Sequence, residues 1–161
     1  MEPVEHLPYS PRRQTRMISV MILYRFELFQ IQPTEVAVFE IEDFDDLFNY
    51  QQMFKIKPRA IWQQQVQVFS VLSKNYRQFR LLIQSFIRTD WSWSRLSPII
   101  RSILLLACVE LQQLDLGIVA NEYIEIAKDF IPDSDSYKFI NRVIQQIDNL
   151  YHEQRIKALK K

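Results

Sequence analysis

Apolar residues recur along most of this chain at steps of three and four, the period of helices that each bury one face. Ser10 can cap a helix with Pro11 at its first position, running to about Gln30. Met17, Met21, Tyr24 and Leu28 form one apolar stripe on it and Ile18, Ile22 and Phe29 another, so burial on two sides is expected. From Gln32 to Tyr50 the chain is acidic and aromatic, with Phe44, Leu47 and Phe48 at helical spacing, and reads as a short helix or a loop. After Lys57-Pro58 a long helix is predicted to Ile87, with Ile61, Val68, Leu72, Phe79, Leu82, Ile83 and Phe86 on its apolar side and a break near Asn75 left open. Gln63, Gln64, Gln65 and Gln67 make its early part polar, and Lys74, Arg77, Arg80 and Arg88 make its later part basic. Ser97-Pro98 repeats the cap-and-proline start, and the helix to Leu114 is apolar on almost all sides, which places it at the centre of a bundle.

The most informative stretch is Leu116 to Leu150, two helices separated by Ile131-Pro132-Asp133. Ala120, Tyr123, Ala127 and Phe130 mark the buried face of the first, with Asn121, Glu122, Glu125 and Lys128 largely off it. Pro132 cannot continue the ladder, and Asp133 or Ser134 can cap a second helix from about Asp135, whose core stripe is Ile140, Val143, Ile144, Ile147 and Leu150. Phe139 lies off that stripe, between Asp135 one turn before and Arg142 one turn after. Such a ring either packs on a neighbouring helix edge or stacks on an unpaired base, and the pattern leaves both open.

Composition narrows the class. One glycine in 161 residues, against roughly 7% in average usage, leaves little material for the tight turns of a β-fold, so the chain is expected to be all-α. The single Cys108 cannot form an internal disulfide and reads as an inert core residue. The first residues have neither a basic nor an apolar signal region, and the apolar run from Ile99 to Val109 holds Arg101 and is too short to span a bilayer, so a cytoplasmic protein with no membrane partner is expected. Residues 1–9 read as a flexible arm, 10–150 as one domain and 151–161 as a basic tail.

Net charge is +1, but its distribution is uneven: six carboxylates and no base lie between Glu35 and Asp46, and nine bases with one acid between Lys55 and Arg101. Arg12, Arg13 and Arg16 crowd the first turns of the opening helix, where cations oppose the macrodipole, and a phosphate backbone would justify them. Catalysis finds little support. There is no phosphate-cradling glycine loop, nucleophile elbow or zinc-type His/Cys spacing, and His6 and His152 lie near opposite ends, so no catalytic residue, metal or cofactor is expected. Asp45 and Asp46 read as a solvated acidic face, and Trp91 and Trp93 as packing residues.

The run VANEYIEIAKDF followed by DSDSYKFINRVI resembles the signature of the NusB family of bacterial transcription antitermination factors. That pattern is Asn-Glu-x-hydrophobic-Glu-hydrophobic-Ala-Lys, an acidic turn, then Asp-Ser-x-Lys-Phe-hydrophobic-Asn, met here from Asn121 to Lys128 and from Asp135 to Asn141. Arg142 replaces the family's glycine after the last Asn, and Gly117 lies near the place of an absent proline. Arg12 to Leu28 resembles the family's first helix, Arg-Arg-x-Ala-Arg followed by an apolar segment with a tyrosine, with Thr15 in place of the alanine and Tyr24 as the tyrosine. Trp91, Arg95 and Leu96, and Glu110-Leu111, also match, whereas Leu105 and Val109 stand where an arginine and a tyrosine are usual.

The resemblance implies about seven helices in two small packed bundles. It implies a factor that binds a boxA-like single-stranded RNA together with NusE, a protein that is also a small-subunit ribosomal component. The two would act within the RNA polymerase antitermination complex on ribosomal RNA operons. RNA contact would fall to Arg12, Arg13, Arg16, Asp135, Lys138, Phe139 and Arg142, and NusE contact to Tyr24. A homodimer stays open. The rival reading is a helical protein–protein adaptor that has lost RNA binding, since Arg142 and the thinned arginine motif depart from the family on its functional face.

Overall fold

Every residue from Ile100 to Glu110 is buried, as the apolar pattern on all sides of that segment requires. The computed structural model describes residues 10–28, 59–88 and 92–160. Its elements are α1 (Pro11–Leu28), α2 (Arg59–Ser85), a 3₁₀ turn (Trp93–Arg95), α3 (Pro98–Glu110), α4 (Leu116–Phe130) and α5 (Ser134–Leu159). There is no strand among the described residues, so the chain is all-α. Five helices lie among the described residues, against about seven expected for the whole chain, and the acidic stretch of 32–50, the arm of 1–9 and Trp91 lie outside the described residues.

Helix α3 packs against α1 and α2 on one side and against α4 and α5 on the other, so two small bundles share it as a common core. Leu104, Leu105 and Leu106 are fully buried at its middle, each stabilising the fold by about 1.5–3 kcal/mol relative to exposure. Burial of Leu72, Phe79 and Ile83 on α2 follows the expected stripe, as does that of Ile140, Val143, Ile144 and Ile147 on α5. The local signals also act where expected. Ser10 Oγ accepts from the backbone N–H of Arg13 at 3.3 Å. Asp133 caps α5 by accepting from Asp135 N at 3.0 Å and from the Ser136 hydroxyl at 3.1 Å.

Helix α1 departs from its sequence reading. Of its expected stripe, Met21 and Leu28 face outward, 36% and 49% exposed, while Tyr24 is partly buried and Met17 packs on the core. Val20, Leu23, Thr15, Ser19 and Glu27 are buried with Ile18 instead. Small hydroxyl residues can be buried there because each returns its proton to the preceding turn: Thr15 Oγ1 donates to Pro11 O at 2.9 Å and Ser19 Oγ to Thr15 O at 2.8 Å. With little side-chain bulk between them, α1 and α3 pack closely.

Glu27 is buried because Arg101, the lone charge in the apolar run of α3, meets it. Arg101 Nε lies 3.1 Å from Glu27 Oε2, while its Nη1 donates to Trp93 O and its Nη2 to Glu27 O. Tyr76 of α2 donates its hydroxyl to Glu27 Oε1 at 2.7 Å, and burial together with that carboxylate pushes the phenol well above its ordinary pKa. The Trp93 ring, 4% exposed, is flanked by the guanidinium groups of Arg80 and Arg101 at 5.6 and 5.8 Å from its centroid. Trp93 therefore packs, as expected.

The last helix does not stop near Leu150. Helix α5 continues to Leu159, so the basic segment from 151 is helical over most of its length. Tyr151 donates to Cys108 O at 2.9 Å and Arg155 Nη2 to Gln112 O at 3.2 Å, which ties the extension to the end of α3. Cys108 is fully buried and its thiol is pushed up by that burial, so it is inert.

Candidate nucleic-acid interface

The three arginines at the start of α1 have three different environments. Arg13 forks onto Glu122 of α4, with Nε 2.8 Å from Oε2 and Nη2 3.1 Å from Oε1. Arg16 points inward to Glu110 at the end of α3, its Nε donating to both carboxylate oxygens at 2.9 and 3.1 Å and its Nη2 lying 2.9 Å from Oε1. Tyr123 also donates its hydroxyl to Glu110, and Arg16 Nη1 lies 3.7 Å from Glu122, so α1, α3 and α4 meet in one polar network. Burial lowers the Arg16 pKa, but the hydrogen bond and charge of Glu110 outweigh it and the net shift is upward. Burial is also the main cause that holds Tyr123 protonated well above its ordinary pKa, with Glu110 adding to it.

The side chains of Arg16 and Glu110 are 11% and 9% exposed, so this pair acts mainly as a clamp. The macrodipole conflict noted in the sequence has an internal answer for two arginines: carboxylates from α3 and α4 stand where phosphates were expected. Arg12 is exposed, with no ion pair among the described residues. It is the arginine of this group whose charge faces solvent.

The second group lies on the first turns of α5. Lys138, Phe139 and Arg142 lie three, four and seven residues after Asp135, which puts all four on one side of the helix. Asp135, Lys138 and Arg142 are exposed, while Phe139 is partly buried and packs on the core. The guanidinium of Arg142 sits over its ring, 5.4 Å from the centroid. One part of the ring thus packs on the core, and another meets the exposed Arg142 guanidinium. Helix α4 contacts both α1 and α5, and so bridges the two groups. Tyr24 is partly buried and lies on the outward strip of α1 with Met21 and Leu28.

A groove of about 500 Å³ adjoins Arg12, between α1, α2 and the segment after α3. Its walls carry Gln64, Gln65 and Gln67 of α2 with Gln112 and Gln113, and the Arg16–Glu110 clamp also lines it. The sequence marks Gln64, Gln65 and Gln67, with Gln63, only as the polar early part of the long helix. The available signal was their density, four within residues 63–67. Among the described residues no group of three or more His, Cys, Asp or Glu could hold a metal ion, and no helix is long and apolar enough to cross a membrane.

The NusB family model matches residues 13–149. The chain is 29% identical over 142 residues to the transcription antitermination protein NusB of Sinorhizobium fredii, with 86% of each covered. It is 30% identical over 141 residues to that of Pasteurella multocida, covering 86% of this chain and 88% of the relative. The fold superimposes on T. maritima NusB with a TM-score of 0.63 at 24% identity, over 87% of this chain and 92% of that one. A match of this extent, reaching into all five described helices and taking in the candidate side chains from Arg13 to Arg142, has one consequence: the chain belongs to the NusB family, that of the transcription antitermination proteins it matches.

Proposed function

We propose that this chain is a non-enzymatic, cytoplasmic RNA-binding antitermination factor that takes a boxA-like single-stranded RNA together with NusE, within the RNA polymerase antitermination complex on ribosomal RNA operons. The observation that carries the reading is the face of Asp135, Lys138, Phe139 and Arg142 on α5, where an aromatic ring at the rim of the core is surrounded by accessible charge. Phe139 offers a stacking surface for one base, and Asp135 and Lys138 reach base edges or sugars. Arg142 covers the ring in the free protein. A base stack is worth about 1–3 kcal/mol against about 0.5–1 for an exposed cation–π contact, so a base displaces the guanidinium, which then turns to a phosphate.

Arg12 supplies the sequence-independent backbone contact. Arg13, 20% exposed, shares its charge between Glu122 and the RNA, and Arg16 holds α1 against α3 and α4. The outward strip of Met21, Tyr24 and Leu28 is an apolar surface of the kind a protein partner covers, and supports Tyr24 as part of the NusE contact. The pairing of Arg13 and Arg16 inside the protein favours a second reading, a helical adaptor without RNA binding, because it leaves fewer cations for phosphate.

Fluorescence anisotropy of a boxA-like RNA and its scrambled control, with and without NusE at two salt concentrations, separates the two. Tighter binding to the boxA-like strand, strengthened by NusE and weakened by Phe139→Ala, supports the factor. Equal and feeble binding to both strands in every condition leaves the adaptor.

A further inference from the structure

Apart from Arg12 itself, the glutamine-lined groove takes no part in the contacts above. Its charge balance is simple: the Arg16–Glu110 clamp in its wall cancels internally, and Arg12 remains as the solvent-facing cation. Its other polar groups among the described residues are the amides of five glutamines and the hydroxyls of Thr15 and Ser70, which both donate and accept. Gln65 is 6% exposed, and its Nε2, itself covered, has no hydrogen-bond partner among the described residues. A buried donor left without a partner is costly, so the groove favours an occupant that brings an acceptor to this depth. At about 500 Å³ the space lies within the ordinary range of small-ligand clefts.

We propose that this groove is a second subsite on the RNA, holding one unpaired nucleotide outside the Phe139 contact, with its phosphate on Arg12 and its base edge on Gln65 and Gln64. The inference rests on the RNA-binding reading. A nucleotide matches the groove on each count: one negative charge for the one unpaired cation among its described residues, and acceptors on a base edge for the Gln65 amide. Among the described residues the groove is lined by amides and hydroxyls and by no aromatic ring, so these groups read the base by hydrogen bonds along its edge, and this subsite discriminates sequence where a stacking platform tolerates it.

The test is an abasic scan. A boxA-like single-stranded RNA is prepared as a series in which each position in turn lacks its base, and binding is measured by anisotropy with the wild-type chain and with Gln65→Leu, a substitution of similar volume that removes the donor. The subsite requires one position whose missing base weakens wild-type binding about 5- to 10-fold, as expected for one buried hydrogen bond, and costs Gln65→Leu nothing. Exposed Gln64→Ala repeats the measurement without touching the core and should reduce the same penalty. If every missing base costs wild type and both variants alike while Phe139→Ala still abolishes preference for the boxA-like strand, the groove is not a subsite and the RNA reading stands. If wild type binds none of the RNAs, both fail.

Discussion

Arg12 and Arg16 come from one sequence motif, and the structure separates their consequences. In Arg16→Met the Glu110 carboxylate, 9% exposed, loses its cation and keeps only the Tyr123 hydroxyl. Breaking a buried pair from one side costs about 3–5 kcal/mol, and the remaining hydrogen bond and slight exposure reduce this to about 2–4. For a chain of 161 residues that lowers Tm by about 5–15 °C. Arg12→Ala touches no ion pair among the described residues, so its stability should stay within about 0.5 kcal/mol of wild type. Its effect belongs to RNA. One phosphate contact on a single strand contributes about 0.7 to the slope of log affinity against log salt, so over a fourfold rise in salt the variant loses about 2.5-fold less affinity than wild type. Urea titration by circular dichroism gives the first quantity and anisotropy at several salt concentrations the second. The assignment is refuted if Arg16→Met is as stable as wild type and lowers the salt slope as much as Arg12→Ala does.

The other buried pair gives an independent check on packing. Glu27→Gln leaves Arg101 without its counter-charge and should cost about 3–5 kcal/mol in a urea melt, while Glu27→Gln combined with Arg101→Met should recover much of that loss; a double variant no better than the single would contradict the pair. Tyr76, Tyr123, Tyr151 and Cys108 are all held above their ordinary values of 10.0 and 9.0, chiefly by burial. Because the folded values are raised, stability is full below about pH 9 and is lost as pH rises further and the unfolded chain deprotonates first, which tyrosinate absorbance and circular dichroism followed together will show as one transition. Phe139→Ala should weaken RNA binding about 5- to 100-fold, the worth of one base stack, and lower Tm only modestly, because the ring is partly exposed.

Much of the fold is written locally. Ser10-Pro11, Ser97-Pro98 and Asp133 start helices through groups within one turn of them, and the all-round apolar run of α3 can be satisfied only at the centre. Asp135, Lys138, Phe139 and Arg142 were legible as a group for the same reason, since helical spacing alone puts them on one side. The roles of the arginines were not. Arg16 and Glu110 are 94 residues apart in sequence and Arg13 and Glu122 are 109 apart, and a one-dimensional pattern records that a charge exists but not what faces it. Arg101 alone in an apolar run and Glu27 alone as the acid of its helix were signals of a buried pair, yet either could have been a solvated charge until α1 was laid against α3.

The outward turn of Met21 and Leu28 was hidden likewise, because α1 carries two plausible apolar faces and its close approach to α3 favours the one with small Thr15 and Ser19. The sequence by itself thus determined the helices, their ends, the central element and the family signature, all governed by contacts within a turn or two. Tertiary structure alone decided which arginines are clamps, which strip of α1 is left for a partner and where the glutamines enclose a groove, because these depend on side chains that the chain brings together only by folding.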